Sequence, residues 1–243
     1  MSNPVLLKIS QAATVGPEER QALESLVVQV VEIPAGSDIV LQGASPDHST
    51  VLIEGLSHRY CALGNGRRAV LAFEISGDWT DLHSLFLDRM DHGVGAITPC
   101  RVGKVPHRNI RQLVERFPRL GMALWREATF DSAVIRQWLV NASARDARAR
   151  MAHLFCEMHV RYQGVGLADE HGFDFPVTQV LLADAVGISV VHANRILQQL
   201  KSEGLLDFTR QRASIPDPAA LWRAGEFDAT YLRVNRGVDG PGV

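Results

Sequence analysis

The chain of 243 residues is poor in cysteine, with only Cys61, Cys100 and Cys156, and no two of them form a C-x-x-C pair. Iron–sulfur clusters usually need four thiolates, so we expect no such cluster within one chain. The odd number and wide spacing also argue against the disulfide framework of a small secreted protein.

Long apolar runs and an excess of positive charge are lacking too. No stretch approaches the ~18 apolar residues of a membrane helix, and the N-terminal residues do not resemble a signal peptide. We therefore expect a cytoplasmic protein with no membrane partner. The formal net charge is −2, so a nucleic-acid surface would have to be a local feature.

The first third of the chain predicts a β-structure. Apolar-rich runs between about residues 26 and 105 are broken by glycine turns, and Asn65-Gly66 between two such runs predicts a hairpin. Many short strands of this kind indicate a sandwich, roll or barrel. A short helix is expected ahead of them, near Pro17 to Leu26, because proline suits a first helical turn.

The middle of the chain, about Arg108 to Ala142, predicts helix with an apolar stripe. The stripe consists of Leu120, Leu124, Ala128, Ile135 and Trp138. Such a stripe can dock on its own chain. We favour a dimer interface, because the function expected of the C-terminal part requires two copies of the chain.

The stretch "QVLLADAVGISVVHANRILQ" predicts two helices joined by a sharp turn. Thr178 and Ser189 are expected N-caps, Gly187 suits a turn with positive φ, and Ala183 allows close helix packing. An αα-hairpin without nucleic acid is the alternative. The following "SEGLLDFTRQRASIPD" predicts two short strands around Thr209 to Arg212, which completes a winged helix.

A recognition helix of this kind places its N-terminal half in the major groove. Arg195 could bond a guanine edge, and Val190 or Val191 could touch a thymine methyl. Arg210 and Arg212 suit phosphate contacts, although turn arginines are often merely solvated. The full predicted DNA-contacting set is Thr178, Gln179, Ser189, Val190, Val191, His192, Asn194, Arg195, Arg210 and Arg212.

Four motifs resemble the Crp/Fnr family of bacterial transcription regulators: "IPAGSDIVLQG", "GDW", "ARMAHLFCEM" and "TQVLLADAVGISVVHANRILQQL". The resemblance covers about residues 15 to 217. It implies an α+β chain with an N-terminal double-stranded β-helix (a jelly-roll-like β-roll), a long dimerisation helix and a C-terminal winged helix-turn-helix. The corresponding domains are 1–107, 108–143 and 144–243. It also implies a homodimer on a palindromic operator, with RNA polymerase as a partner.

The family's cyclic-nucleotide residues are altered in this chain. By resemblance, Asp81-Leu82 replaces Gly-Glu, and Met90-Asp91-His92 replaces Arg-Ser-Ala. Arg89 could substitute only if the loop shifts by one residue. On the dimer helix, Ile135-Arg136 stands at the Thr-Ser base contacts. We therefore do not expect cAMP to bind, and the effector remains unknown.

Another ligand could use this pocket. The candidate effector set is Asp81, Leu82, His83, Arg89, Asp91, His92, Ile135 and Arg136. His and carboxylate groups here, with Asp88, could bind a cation or a polar ligand, but solvated surface residues are the favoured interpretation and we assign no metal ligands. A haem ligated by His or Cys is conceivable, without a residue pair to support it.

Two further histidine patterns favour no site. His153, Cys156 and His159 lie on one predicted helix, where packing is favoured over metal binding. His83-Ser84 near Asp81 suggests a nucleophile only superficially, since adjacent side chains point apart and no oxyanion motif accompanies them.

We therefore expect a DNA-binding regulator and not an enzyme. A ligand- or metal-sensing protein whose DNA-binding domain is secondary is the alternative. The sequence does not indicate the effector, the operator or whether transcription is activated or repressed.

Overall fold

The computed structural model describes residues 15–64 and 66–232. The chain divides into two compact units, Met1–Asp131 and Ser132–Val243. The boundary falls within one long helix, so the two parts of that helix are treated with their own units.

The first unit contains two antiparallel sheets. They are built from β1 (Gln29–Ile33), β2 (Asp38–Val40), β3 (His48–Glu54), β4 (Ser57–Ala62), β5 (Arg68–Glu74), β6 (Gly93–Ala96) and β7 (Cys100–Pro106). One sheet has the strand order β1-β7-β3 and the other β2-β6-β4-β5. This arrangement confirms the predicted β-domain.

Helices flank the sheets of this unit. They are α1 (Pro17–Glu24), a 3-10 helix (Leu82–Phe86), α2 (His107–Arg116) and the start of α3 (Pro118–Ser143). α1 begins at Pro17 as predicted, with Gly16 N donating to Glu19 Oε2 at 2.8 Å. The predicted hairpin is confirmed by the pairing of β4 with β5, and Leu63 N donates to Arg67 O at 2.8 Å. Asn65 itself lies outside the described residues.

The second unit is a winged helix. Its elements are α4 (Ala147–Gly164), β8 (Ala168–Asp169), β9 (Gly172–Asp174), α5 (Gln179–Val186), α6 (Val190–Ser202), β10 (Asp207–Thr209), β11 (Arg212–Ser214), α7 (Pro218–Ala224) and a 3-10 helix (Ala229–Leu232). The predicted core residues of α4 (Met151, Leu154, Phe155 and Met158) are all buried.

The segment "GVGLADEHGFDF", expected to be a loop, contains the hairpin of β8 and β9. This expectation was wrong because both strands are too short and polar to show a period. Together with β10 and β11 they form one sheet of order β10-β11-β9-β8. Gly172 is required where β9 meets β11, since a Cβ there would lie 2.3 Å from Ala213 O.

The apolar stripe predicted along α3 is wrong in part. Leu120 and Leu124 are buried in the core of the first unit, beside Leu23, Val105 and Ile110. In the second unit, Trp138 donates to Glu157 at 3.3 Å. Of the predicted stripe, Ile135 is exposed, and the other large apolar side chains that α3 exposes are Met122, Trp125, Leu139 and Val140.

No single helix among residues 15–64 and 66–232 is long and apolar enough to cross a membrane. α5 and α6 reach that threshold only when taken together, and the chain bends by 95° between them.

Candidate DNA-binding surface and effector site

Local capping positions the two helices of the helix-turn-helix. Thr178 caps α5 by accepting a hydrogen bond from Leu181 N at 3.2 Å, and Ser189 caps α6 by accepting one from His192 N at 3.2 Å. Gly187 ends α5 with φ of +69°, in the left-handed region that glycine favours. All three predicted roles in the turn are confirmed.

One face of α6 packs on the protein while the other faces outward. Ala193, Ile196, Leu197 and Leu200 are buried. Among the predicted DNA-contacting residues, Val191 is 81% exposed, Val190 is 37% exposed and Arg195 is exposed. His192 and Asn194 are half-buried. The N-terminal half of α6 therefore presents apolar groups, one guanidinium and two polar groups that are partly accessible.

Thr178 and Gln179 are both exposed at the start of α5. Arg210 and Arg212 lie in the wing, which is the hairpin of β10 and β11, and their side chains have different contacts. Arg210 lies in the turn between β10 and β11 with φ of +51°, and its side chain is exposed. Arg212 forms ion pairs with Asp169 at 2.8 Å and with Asp174 at 3.1 Å. The hairpin of β8 and β9, which the sequence did not predict, therefore binds Arg212, one of the two arginines predicted to contact phosphates.

In the first unit, the predicted effector residues occupy different environments. Leu82 is part of the hydrophobic core, Arg89 is exposed, and Asp81 is fully buried. Ile135 and Arg136 belong to the second unit, where both are exposed. Their part in an effector pocket stays a prediction.

Asp81 does not lie on a solvated loop, as the favoured interpretation of the sequence had it. Its Oδ1 accepts a hydrogen bond from Thr50 N at 2.5 Å, which fixes the residue against β3. Burial raises the pKa of Asp81 to about 7, against the opposing effects of that hydrogen bond and of Arg59. Its Oδ2 is buried with no hydrogen-bond partner among the described residues.

His83, Asp91 and His92 are brought together beside the 3-10 helix. Each offers one potential ligand atom, and these three atoms lie within 4.8 Å of one another. The two imidazole rings are 4.9 Å apart, and His92 Nδ1 lies 2.8 Å from Asp91 Oδ1. Burial lowers the pKa of His83 to about 4 and lowers the pKa of His92 as well. Both rings are therefore neutral at pH 7.

A buried ion-pair network near these groups was not predicted. Arg59, on β4, is 3% exposed. Its Nε lies 2.8 Å from Glu74 Oε1, and its Nη1 lies 2.5 Å from Asp131 Oδ2. Arg59 also donates to Trp79 O at 3.0 Å. The one feature of the sequence that could have indicated this network is Arg59 itself, a charged residue at an inward position of a predicted strand, between His58 and Tyr60.

The second unit has its own buried network, centred on Glu157. This carboxylate accepts hydrogen bonds from Tyr231 Oη at 2.8 Å, from Trp138 Nε1 at 3.3 Å and from Arg161 at 3.3 Å. His153 contacts Gly225 O and Tyr231 Oη, both at 3.1 Å. Of the set considered for metal binding, His153, Cys156 and His159 are all buried, which confirms the prediction that they pack.

Comparisons with known proteins match both units. A model described as a cyclic nucleotide-binding domain matches residues 30–117, and one described as a Crp-like helix-turn-helix domain matches residues 149–224. A "Probable transcriptional activator" of Rhizobium leguminosarum bv. viciae is 21% identical over 193 residues, which are 79% of this chain and 79% of that protein. The "Transcriptional activator protein FnrL" of Cereibacter sphaeroides is 20% identical over 181 residues, 73% of this chain and 72% of that protein.

Among solved structures, that of FixK2 from Bradyrhizobium japonicum covers 84% of this chain and all of its own, with a TM-score of 0.74 and 19% identity. The likeness confirms the predicted fold class. The relatives are transcription regulators, which confirms the prediction that the chain is not an enzyme.

Proposed function

The chain belongs to the Crp/Fnr family of transcription regulators, and we propose that it acts as a cytoplasmic homodimer that reads a palindromic operator under the control of an effector site in its β-roll. The observation that carries the proposal is α6, a capped helix that lies at 95° to α5 and exposes Val190, Val191 and Arg195 in its N-terminal half.

The residues on the outward face of α6 contact the bases of the operator. Arg195 supplies a forked donor for the two acceptors on a guanine edge. Val190 and Val191 supply methyl groups for thymine, and Val191 is the most accessible of the apolar groups on this helix. Ser189, His192 and Asn194 lie close enough in sequence to contact flanking bases or phosphates.

Phosphate contacts set affinity and orientation rather than sequence. Thr178 and Gln179 offer a hydroxyl and an amide at the exposed start of α5. In the wing, Arg210 is the stronger candidate, because Arg212 must give up two carboxylate partners before it can bind a phosphate. We therefore rank Arg210 above Arg212.

Dimerisation uses the exposed apolar side chains of α3. In the second unit, Leu139 is 67% exposed and Ile135 is 38% exposed, and their spacing of four residues places them on one face of the helix. A second copy of the chain is the occupant that an operator with two half-sites requires, at a separation of ~34 Å. RNA polymerase is the partner through which such a dimer acts on transcription.

Light scattering of Leu139→Glu tests this interface, since a buried carboxylate there opposes association. We expect monomers. Leu167→Glu is the matched control, because Leu167 is also an exposed leucine of the second unit but lies outside α3. Equal behaviour of the two variants would contradict the interface.

The effector is not cAMP. Arg59 is already paired with two carboxylates, and Arg89 is exposed, so neither is set to receive a cyclic phosphate. The groups near the 3-10 helix are a carboxyl with a pKa of about 7, raised by burial, and two imidazoles whose pKa values burial lowers, which suit a different ligand class.

Selection from random duplex DNA by the purified protein, without and with divalent metal ions, tests the proposal. We expect enrichment of a two-fold palindrome. Enrichment of an asymmetric site would contradict the proposal that a homodimer binds the operator. A folded protein that binds an effector but enriches no DNA under either condition would support the alternative, a sensor whose DNA-binding domain is secondary.

A further inference from the structure

We propose that His83, Asp91 and His92 bind a divalent transition-metal ion in the β-roll, with zinc(II) and iron(II) as the ions whose ligand preferences fit. Only the regulatory consequence of this inference rests on the proposed effector control; the binding of the metal does not depend on DNA.

The geometry is that of a nearly assembled site. The three ligand atoms lie within 4.8 Å of one another, and tetrahedral zinc with bonds of about 2.0–2.1 Å needs its ligands about 3.4 Å apart. The largest separation exceeds this value by at most about 1.4 Å, a difference that side-chain rotation can close. Three protein ligands leave one position open on the metal, as in sites that bind a further small ligand.

Asp91 can hold His92 in place or bind the ion, but it cannot do both at once. Its Oδ1 lies 2.8 Å from His92 Nδ1, on the side of the ring opposite Nε2. Binding of one ion by all three residues therefore requires this contact to break, which rotation of the exposed Asp91 side chain allows.

Both imidazoles have an Nε2 atom that the fold leaves unpaired. His92 is 6% exposed, and neither its Nε2 nor that of His83 has a hydrogen-bond partner among the described residues. Buried polar atoms normally have hydrogen-bond partners, so two such atoms on rings whose centroids are 4.9 Å apart call for an explanation. One metal ion accounts for both.

The surrounding charge favours a cation. Arg59 repels it and lowers the pKa of both histidines, whereas Asp91 and Asp131 attract it. The Arg59 charge is offset by its ion pairs with Glu74 and Asp131, and Asp91 adds a further negative charge.

Cobalt(II) titration of the metal-free, full-length protein tests the site by the visible absorption of tetrahedral cobalt, and calorimetry with zinc(II) and iron(II) separates the two physiological ions. We expect one ion per chain. His83→Gln, His92→Gln and Asp91→Asn should each weaken affinity by about tenfold or more.

His48→Gln is the matched control. His48 Nδ1 lies 2.7 Å from Asp47 Oδ1, the same kind of neighbouring Asp–His pair, but it is absent from the three-residue cluster. This variant should bind metal like the wild type. Asp91 is exposed and His83 is half-buried, so Asp91→Asn and His83→Gln keep the test valid even if His92→Gln does not fold.

Absence of binding, equal affinity of His83→Gln, Asp91→Asn and the wild type, or a cobalt–thiolate charge-transfer band would each overturn the site. Operator selection is measured separately. Metal binding without any selected operator would contradict the proposed function and leave the metal site standing.

Discussion

Both units bury histidines and carboxylates, but the polar atoms of these groups have different neighbours. In the second unit, each ring nitrogen of His153 and each carboxylate oxygen of Glu157 has a polar neighbour within 3.3 Å. In the first unit, His83 Nε2, His92 Nε2 and Asp81 Oδ2 have no hydrogen-bond partner among residues 15–64 and 66–232.

The difference bears on the proposed function. Histidine and carboxylate groups with polar neighbours hold their positions without a ligand, which suits a unit that must present α6 to DNA in one orientation. Buried polar atoms without a hydrogen-bond partner gain free energy when a ligand supplies one. Under the proposed function, the winged helix therefore acts through its surface and the β-roll acts through groups in its interior.

The largest expected effect comes from the part of the β-roll that is fully paired. Arg59→Met should lower the free energy of unfolding by about 3–5 kcal/mol, because Glu74 and Asp131 lose their buried cationic partner. Arg101→Met is the control, since Arg101 pairs with Glu32 and Glu54 at the surface. It should cost less than about 1 kcal/mol. Urea unfolding measures both, and equal costs would contradict the importance of burial.

Local features of the winged helix were predictable from sequence because each depends on residues a few positions apart. Thr178, Gly187 and Ser189 act on their own backbone neighbourhood, so their roles follow from residue type and spacing. The hairpin of β8 and β9 was missed because strands of two and three residues carry no usable alternation. The ion pairs of Arg212 with Asp169 and Asp174 were missed with it.

The dependence of the free energy of unfolding on acidic pH gives a further comparison between the units. The pKa values of His83 and His153 both fall to about 4 from an ordinary 6.5, because both rings are buried. Between these pH values the unfolded chain binds more protons, so the free energy of unfolding falls as pH is lowered. Without metal, His83→Gln and His153→Gln should each flatten that fall by up to ~1.4 kcal/mol per pH unit.

Added zinc(II) should then distinguish the two histidines. Above pH 6.5, zinc should stabilise the wild type and His153→Gln more than it stabilises His83→Gln, because the weaker site gains less from the same concentration of zinc. Urea unfolding at a series of pH values, with and without zinc, measures this. Equal stabilisation of both variants would contradict the distinction between the units.

A smaller loss of stability is expected when a histidine of the second unit is deprived of a polar neighbour. Tyr231→Phe removes the hydroxyl that contacts both Glu157 and His153, so His153 Nε2 loses its partner. The free energy of unfolding should fall by about 1 kcal/mol. Tyr60→Phe is the comparison in the β-roll, where the hydroxyl donates to Asp38 at 2.7 Å. No loss in Tyr231→Phe would indicate that the network does not stabilise the unit.

The candidate effector site could be predicted only in outline. His83, Asp91 and His92 were identified because they lie within ten residues of one another in sequence. The burial of Asp81 depends on β3, where Thr50 N, 31 residues away in sequence, donates to its carboxylate. Asp131 lies 72 residues from Arg59, and no local pattern indicates that pairing. The apolar stripe of α3 was misassigned for the same reason, since periodicity does not show which face the β-roll covers.

The most direct test of the central claim, that α6 reads bases while the wing only anchors, is operator selection repeated with Arg195→Ala and Arg210→Ala. We expect Arg195→Ala to lose about 1–3 kcal/mol of discrimination at one symmetric position of each half-site. Arg210→Ala should keep the wild-type sequence, bind it more weakly, and reduce the salt dependence by about one ion. If Arg195→Ala selects the wild-type sequence unchanged, the placement of α6 in the major groove is wrong.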